Sequence, residues 1–195
     1  MSEWTPAADP AAQSKYQVRF DQGVEGVARI AGAADVLVWV DQVTTDAAGA
    51  ASEAGRSSSV PDEALAAAPD AAVLLAGLHD AAAVAAWILA DQEQLGRRSY
   101  VALVAAGRAD GGFAGDDVLA SGAVVDALIG RGIDDTSPEA AVAASAFTGL
   151  RRVVAHLATA SISGRDAIAG GVEPAALRRS AVPDPAAVVR VVRPR

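Results

Sequence analysis

Three short apolar runs divide the chain. Asp35 to Val40 carries Val-Leu-Val-Trp-Val, Ala71 to Leu75 forms a second run, and Tyr100 to Ala105 a third. Continuous apolar runs this short, rich in β-branched residues and followed by polar residues, suit central strands buried on both faces. Tyr16 to Phe20 alternates instead, with Tyr16, Val18 and Phe20 on one face, and predicts a further strand. Ala187 to Val192 predicts a last strand, at an edge or beside the first.

Between the runs the spacing turns helical. Gly23 opens a short helix on which Val24, Val27, Ala28 and Ile30 share a face. Gln42 to Thr45 predicts a turn, with an Ala-rich helix following to about Ala54 and a loop over 55–61. His79 to Gln94 is a helix with Val84, Trp87, Ile88 and Leu95 near 3.6-residue spacing. Gly107 to Gly115, with four glycines, is a flexible loop, and Asp116 to Leu128 a helix whose two leading acids suit its N-terminus. Ser137-Pro138-Glu139 has the order of a helix start, and that helix is expected to run to about residue 160. Arg165 starts a short helix that Gly170-Gly171 stops, and Pro183 and Pro185 bracket a linker.

Strands alternating with helices predict an α/β fold: helices layered around a mainly parallel or mixed central sheet. Residues 1–14 lack a periodic pattern and read as a disordered tail, leaving 15–195 as one α/β domain. In such sheets the working groups collect at the carboxyl ends of the strands. That singles out Asp41, the Gly77–Asp80 turn and the Gly107–Asp117 loop.

Composition narrows the partners. The net charge is -8, which argues against nucleic acid and against an anionic membrane surface. A small anionic substrate stays compatible if positive groups or a metal gather locally. The absence of cysteine excludes disulfides, thiolate zinc sites and cysteine nucleophiles. The first residues lack a basic stretch followed by an apolar core, and no apolar run reaches the roughly 18 to 20 residues that span a bilayer. The expected compartment is the cytoplasm. The Ala/Val-rich helices could equally face a partner subunit, so a homodimer stays open.

Four constellations could carry chemistry. Asp41, with Thr44 and Thr45 a turn later, could bind Mg²⁺ or a phosphate; the same pattern serves as a plain strand-to-helix turn. His79 at a helix start could donate to a phosphate or act as a general acid, or be a surface histidine beside an N-cap Asp80. Arg108 directly follows a buried strand, where a phosphate-binding arginine is useful, and Asp116-Asp117 could hold a divalent ion; a solvated loop and a charged first turn look the same. Ser161-Ile162-Ser163-Gly164-Arg165-Asp166 combines helix N–H groups, hydroxyls and an arginine, as an anion cradle or a simple cap does. No Walker A loop, GxGxxG, GxSxG or HExxH is present.

Taken in order, residues 16–45, 73–88, 100–128, 137–147 and Ser163-Gly164-Arg165-Asp166 resemble the 2-phosphosulfolactate phosphatase family. The resemblance implies a Mg²⁺-dependent phosphatase on a mixed α/β sheet, hydrolysing a small phosphorylated organic acid; the family's named reaction is a step in coenzyme M biosynthesis. By position it implies Asp41, Asp116 and Asp117 for the metal, with Asp41 and Asp117 orienting water and His79 as proton donor. It implies Thr44, Thr45, Arg108, Ser163, Gly164 and Arg165 for phosphate or the substrate's acid groups. The chain also departs from the family. The segment between Asp41 and the Thr pair is two residues shorter, His79-Asp80 stand where Arg-Asn is usual, and the Asn-Gly loop before the second central strand is missing. A shortened, diverged member is implied, either catalytic or a non-enzymatic binding module.

Overall fold

The computed structural model describes residues 9–43 and 60–195. Strands β1 (Val18–Gln22), β2 (Val36–Val40), β3 (Ala72–Ala76), β4 (Val101–Ala105) and β5 (Arg190–Arg193) form one mixed sheet in the order β1-β4-β2-β3-β5. The first four run parallel, and β5 pairs antiparallel with β3 at the edge. The α/β architecture is therefore as the sequence predicts. So is an edge position for the last strand.

The helices are α1 (Gly23–Ile30), α2 (Asp62–Ala67), α3 (Ala81–Leu95), α4 (Gly115–Ile129), α5 (Pro138–Leu150), α6 (Val154–Ala160), α7 (Ile162–Ala169) and α8 (Pro174–Ser180). The apolar runs are buried on both faces because their period of two feeds two cores. Val36, Val38, Val40, Leu74, Leu103 and Ala105 pack into one, beneath α3, α4 and α5. Leu37, Trp39, Val73, Leu75 and Val104 pack into the other, against α1 and α2. Each buried Val or Leu contributes about 1.5–3 kcal/mol relative to an exposed one. With few aromatics, close approach does the rest: an added Cβ at Gly122 of α4 would overlap the Ala143 carbonyl of α5.

The structure corrects several expectations. Residues 9–14, read as part of a loose tail, are ordered. Pro10–Ala12 form a 3-10 turn, and buried Gln13 donates to the Phe20 carbonyl at 2.8 Å and accepts the Phe20 N–H at 3.0 Å. That side chain imitates a neighbouring strand and covers the edge of β1. The helix expected to reach residue 160 breaks after Leu150 and restarts at Val154. Its buried stripe of Ala140, Ala143 and Ala144 next meets exposed Arg151 and Arg152, so no apolar face continues there. Helices α2 and α8 are additional. The helix expected over 46–54 and most of the 55–61 loop lie outside the described residues.

Register fixes the site. Val40 lies level with Ala76 and with Ala105, and Ala105 with Gln22. The residues following the four parallel strands thus form one row. After β2 the next described helix, α2, packs on one face of the sheet, and after β4 the chain enters α4 on the other. The carboxyl ends of β2 and β4 flank a topological switch point, where open α/β sheets bind their ligands.

The α4–α5 contact predicts a selective response to added methyl groups. Gly122→Ala should lower stability by about 1–3 kcal/mol in denaturant unfolding, by overpacking. Gly149→Ala on α5, where an added Cβ meets nothing within 4 Å, should be neutral or stabilise by up to about 1 kcal/mol.

Candidate functional site

Asp117 sits in the first turn of α4 and is 2 % exposed. One carboxylate oxygen accepts the backbone N–H of Gln42, just past β2, at 2.8 Å; the other accepts that of Gly107, just past β4, at 2.9 Å. Its carboxyl is pushed well above the ordinary range, first by burial and then by the charges of Asp116 and Asp41, while the two N–H bonds pull the other way.

Asp116, 3 % exposed, turns the other way along the same helical turn. Its Oδ1 accepts a hydrogen bond from Ser163 Oγ at 3.2 Å. Its Oδ2 is buried with no hydrogen-bond partner among the described residues. Burial raises this carboxyl too, opposed by its own backbone N–H and by the Ser163 and Ser161 hydroxyls. Asp41 is half-buried and donates its N–H to the Ala76 carbonyl at 3.2 Å. Three carboxylates therefore share one end of the sheet.

Gln42 organises the strand ends around them. It is 1 % exposed. Its Oε1 accepts the Leu78 N–H at 2.7 Å, and its Nε2 donates to the Ser180 carbonyl and hydroxyl at 3.3 and 3.2 Å. An added Cβ at Gly77 would come 3.0 Å from that Oε1. Gln42 thus ties β2 to the turn after β3 and to the end of α8. No sequence signal marks it, because its partners Leu78 and Ser180 lie 36 and 138 residues away.

The other sequence-predicted residues divide. Ser163 joins the acids through Asp116. Gly164 donates its N–H to Ser161 Oγ at 3.0 Å, and its lack of a side chain is required because a Cβ would overlap the Ala158 carbonyl. Arg165 is exposed on α7. Arg108 pairs with Asp110 at 2.7 Å inside its own loop, which the Arg108 N–H to Gly112 carbonyl bond closes. His79 faces Val182 and Asp184. Thr44 and Thr45 lie outside the described residues.

A cavity of about 390 Å³ lies between the start of α1 and the loop from Gly107 to Phe113, and none of Asp41, Asp116 and Asp117 lines it. Gly107 both lines it and donates to Asp117. Among the described residues no group of three or more His, Cys, Asp or Glu side chains converges as a complete metal cage. Mg²⁺ is usually held by only one or two carboxylates, with water and substrate oxygens completing the shell. The unpartnered Oδ2 of Asp116, on the residue beside Asp117, is compatible with one carboxylate ligand of such a partial shell. No protein-family model matches the chain, and no curated protein matches it.

The two adjacent acids should answer differently to amide substitution. Asp117→Asn turns an NH₂ group toward a backbone N–H and should cost about 1–3 kcal/mol, the penalty of a buried unpaired donor. Asp116 has a folded pKa above its unfolded value, so its charge disfavours the folded state increasingly as pH rises through the folded value. Asp116→Asn should therefore gain stability relative to the native chain as pH rises above the unfolded carboxyl's value, read in urea titrations.

Proposed function

We propose that this protein is a Mg²⁺-dependent phosphomonoesterase acting on a small phosphorylated organic acid of the 2-phosphosulfolactate type. The observation that carries the reading is the buried acid pair at the switch point, with one oxygen of Asp116 left without a partner. A buried carboxylate pair whose ionisation burial disfavours is costly to fold, and such perturbed groups cluster at functional sites. The ion, when bound, neutralises charge on phosphoryl oxygens and lowers the barrier to attack by water.

The chain's own groups take the remaining roles. Asp116 and Asp41 hold the cation and orient water. Asp117 fixes the loops after β2 and β4 through its two N–H bonds. Gly107 and its neighbours leave room for the organic acid. Arg108 exchanges Asp110 for the substrate's phosphate or acid group; both partners are partly exposed, so the exchange costs little. Arg165 supplies positive charge from the far side of Ser163. The proton donor is a bound water, because His79 is engaged with Val182 and Asp184. The reading carries a cytoplasmic location with it.

A second reading is favoured by specific contacts. Both Asp117 oxygens serve backbone N–H groups, and Arg108 is neutralised within its own loop. A non-catalytic module that binds small anions would keep those contacts intact.

Phosphate release from a panel of phosphorylated hydroxy acids, with Mg²⁺ and with EDTA, separates the two. The enzyme reading expects Mg²⁺-dependent release that falls at least about 100-fold in Asp41→Asn and Asp116→Asn, as loss of a charge-stabilising group does. Silence across the panel from folded protein selects the binding module.

A further inference from the structure

Gln22 ends β1 between two hollows. On one side is the 390 Å³ cavity along the loop from Gly107 to Phe113. On the other a groove of about 350 Å³ lies between the starts of α4 and α5. Gln22 and Phe113 line both, so the two adjoin. Phe20 and Ala143 are buried in the groove, and Val118 is partly buried. Phe113 and Val142, from the loop before α4 and from α5, stand at its sides 64 % and 69 % exposed. A hollow of this size, lined mainly by apolar groups with a few polar ones, has the usual form of a small-molecule site.

Charge is spread unevenly over the pair. Glu139 is the charged residue of the groove, and no Lys or Arg among the described residues lines it. The cation stands at the other end. A Cβ added at Gly112, which lines the cavity, would come 3.6 Å from Arg108 Nη1. Glu25 also lines that cavity, with Arg29 3.8 Å away. An anionic head is therefore drawn toward Arg108 and repelled from Glu139, which leaves the groove to an uncharged group. The phenyl rings of Phe20 and Phe113 favour an aromatic one.

We propose that this groove is a subsite for the aryl tail of an amphipathic organic acid whose anionic head lies beside Arg108. Phe113 and Val142 then determine selectivity for the tail. The phosphate on the head rests on the phosphatase reading; the aryl subsite rests on the groove itself.

Methyl-detected NMR titrations of the full chain with lactate and with 3-phenyllactate test it. 3-Phenyllactate should bind about ten-fold more tightly than lactate, the gain from half-burying a phenyl ring, and should shift the Val118 and Val142 methyls. Val142→Asp, a change at an exposed position, should remove that gain. Val188→Asp, at a likewise exposed valine outside the groove, should keep it. Equal affinity for the two acids, no binding of either, or binding that leaves both valine methyls unmoved overturns the subsite. So does a native dimer in sedimentation that Val142→Asp turns into a monomer, because a second copy then covers the groove. Phosphate release separates this failure from that of the phosphatase reading. A protein that hydrolyses 2-phospholactate and its 3-phenyl analogue equally well keeps the phosphatase and loses the subsite. An inactive protein that binds 3-phenyllactate in the groove keeps the subsite and loses the phosphatase.

Discussion

The constraint on which the carboxyl edge depends is the pairing of two backbone N–H groups. Beyond the bond from Ala106 N–H to the Val40 carbonyl, the ladder that paired β2 and β4 ends. Gln42 and Gly107 then each present a donor that burial makes expensive to leave unpaired. Asp117 answers both at once, at 2.8 and 2.9 Å, from the first turn of α4. An amide could answer only one, and a serine could not span the gap. The cost is a charge in a poorly solvated place, made larger by Asp116 and Asp41.

The amino edge of the same two strands solves the same problem differently. There Asp35, directly before β2, accepts the Tyr100 N–H directly before β4 at 2.9 Å. Arg97 meets that carboxylate with two bonds at 2.8 Å, and Arg195 stands 3.5 Å away. Asp35 is accordingly held below the ordinary carboxylate range, with Arg97 as the leading cause. Its contribution to stability is present above the unfolded pKa and fades as pH falls through the folded one. The Asp116–Asp117 pair has the opposite sign. Arginines hold the carboxylate bridge at the amino edge below the ordinary range, whereas burial and neighbouring acids raise the one at the carboxyl edge. On the proposed reading, that asymmetry separates a structural staple from a site for a cation.

How much of this was legible follows from the kind of signal. The strands β2, β3 and β4 were readable because five consecutive apolar residues have few other uses, and the parallel order brought their ends level. The places of Asp41, Asp116 and Asp117 were readable because a residue directly after a buried parallel strand, or opening the next helix, lies at the carboxyl edge of the sheet. The break after Leu150 was not, because helix propensity runs through it; only the packed stripe fails at Arg151. Gln13 and Gln42 were not readable either. Each owes its role to partners seven and 138 residues distant, and a lone glutamine carries no pattern that announces them.

The departures from the family resemblance have a physical logic of their own. Where Arg-Asn is usual this chain has His79-Asp80, and both residues are committed to holding the chain together. Asp80 closes its own turn and anchors Arg190, and His79 grips the linker through Val182 and Asp184. The positions that keep the resemblance, Asp116, Asp117 and Ser163, meet in one buried place, with Asp41 close enough to raise Asp117. Where the resemblance implies an arginine, this chain has a histidine that faces the protein. On the proposed reading, recognition of the anion then shifts to Arg108 and Arg165, on the loop after β4 and on α7. On that reading the site would take substrates whose second acid group reaches those two arginines, rather than the turn after β3.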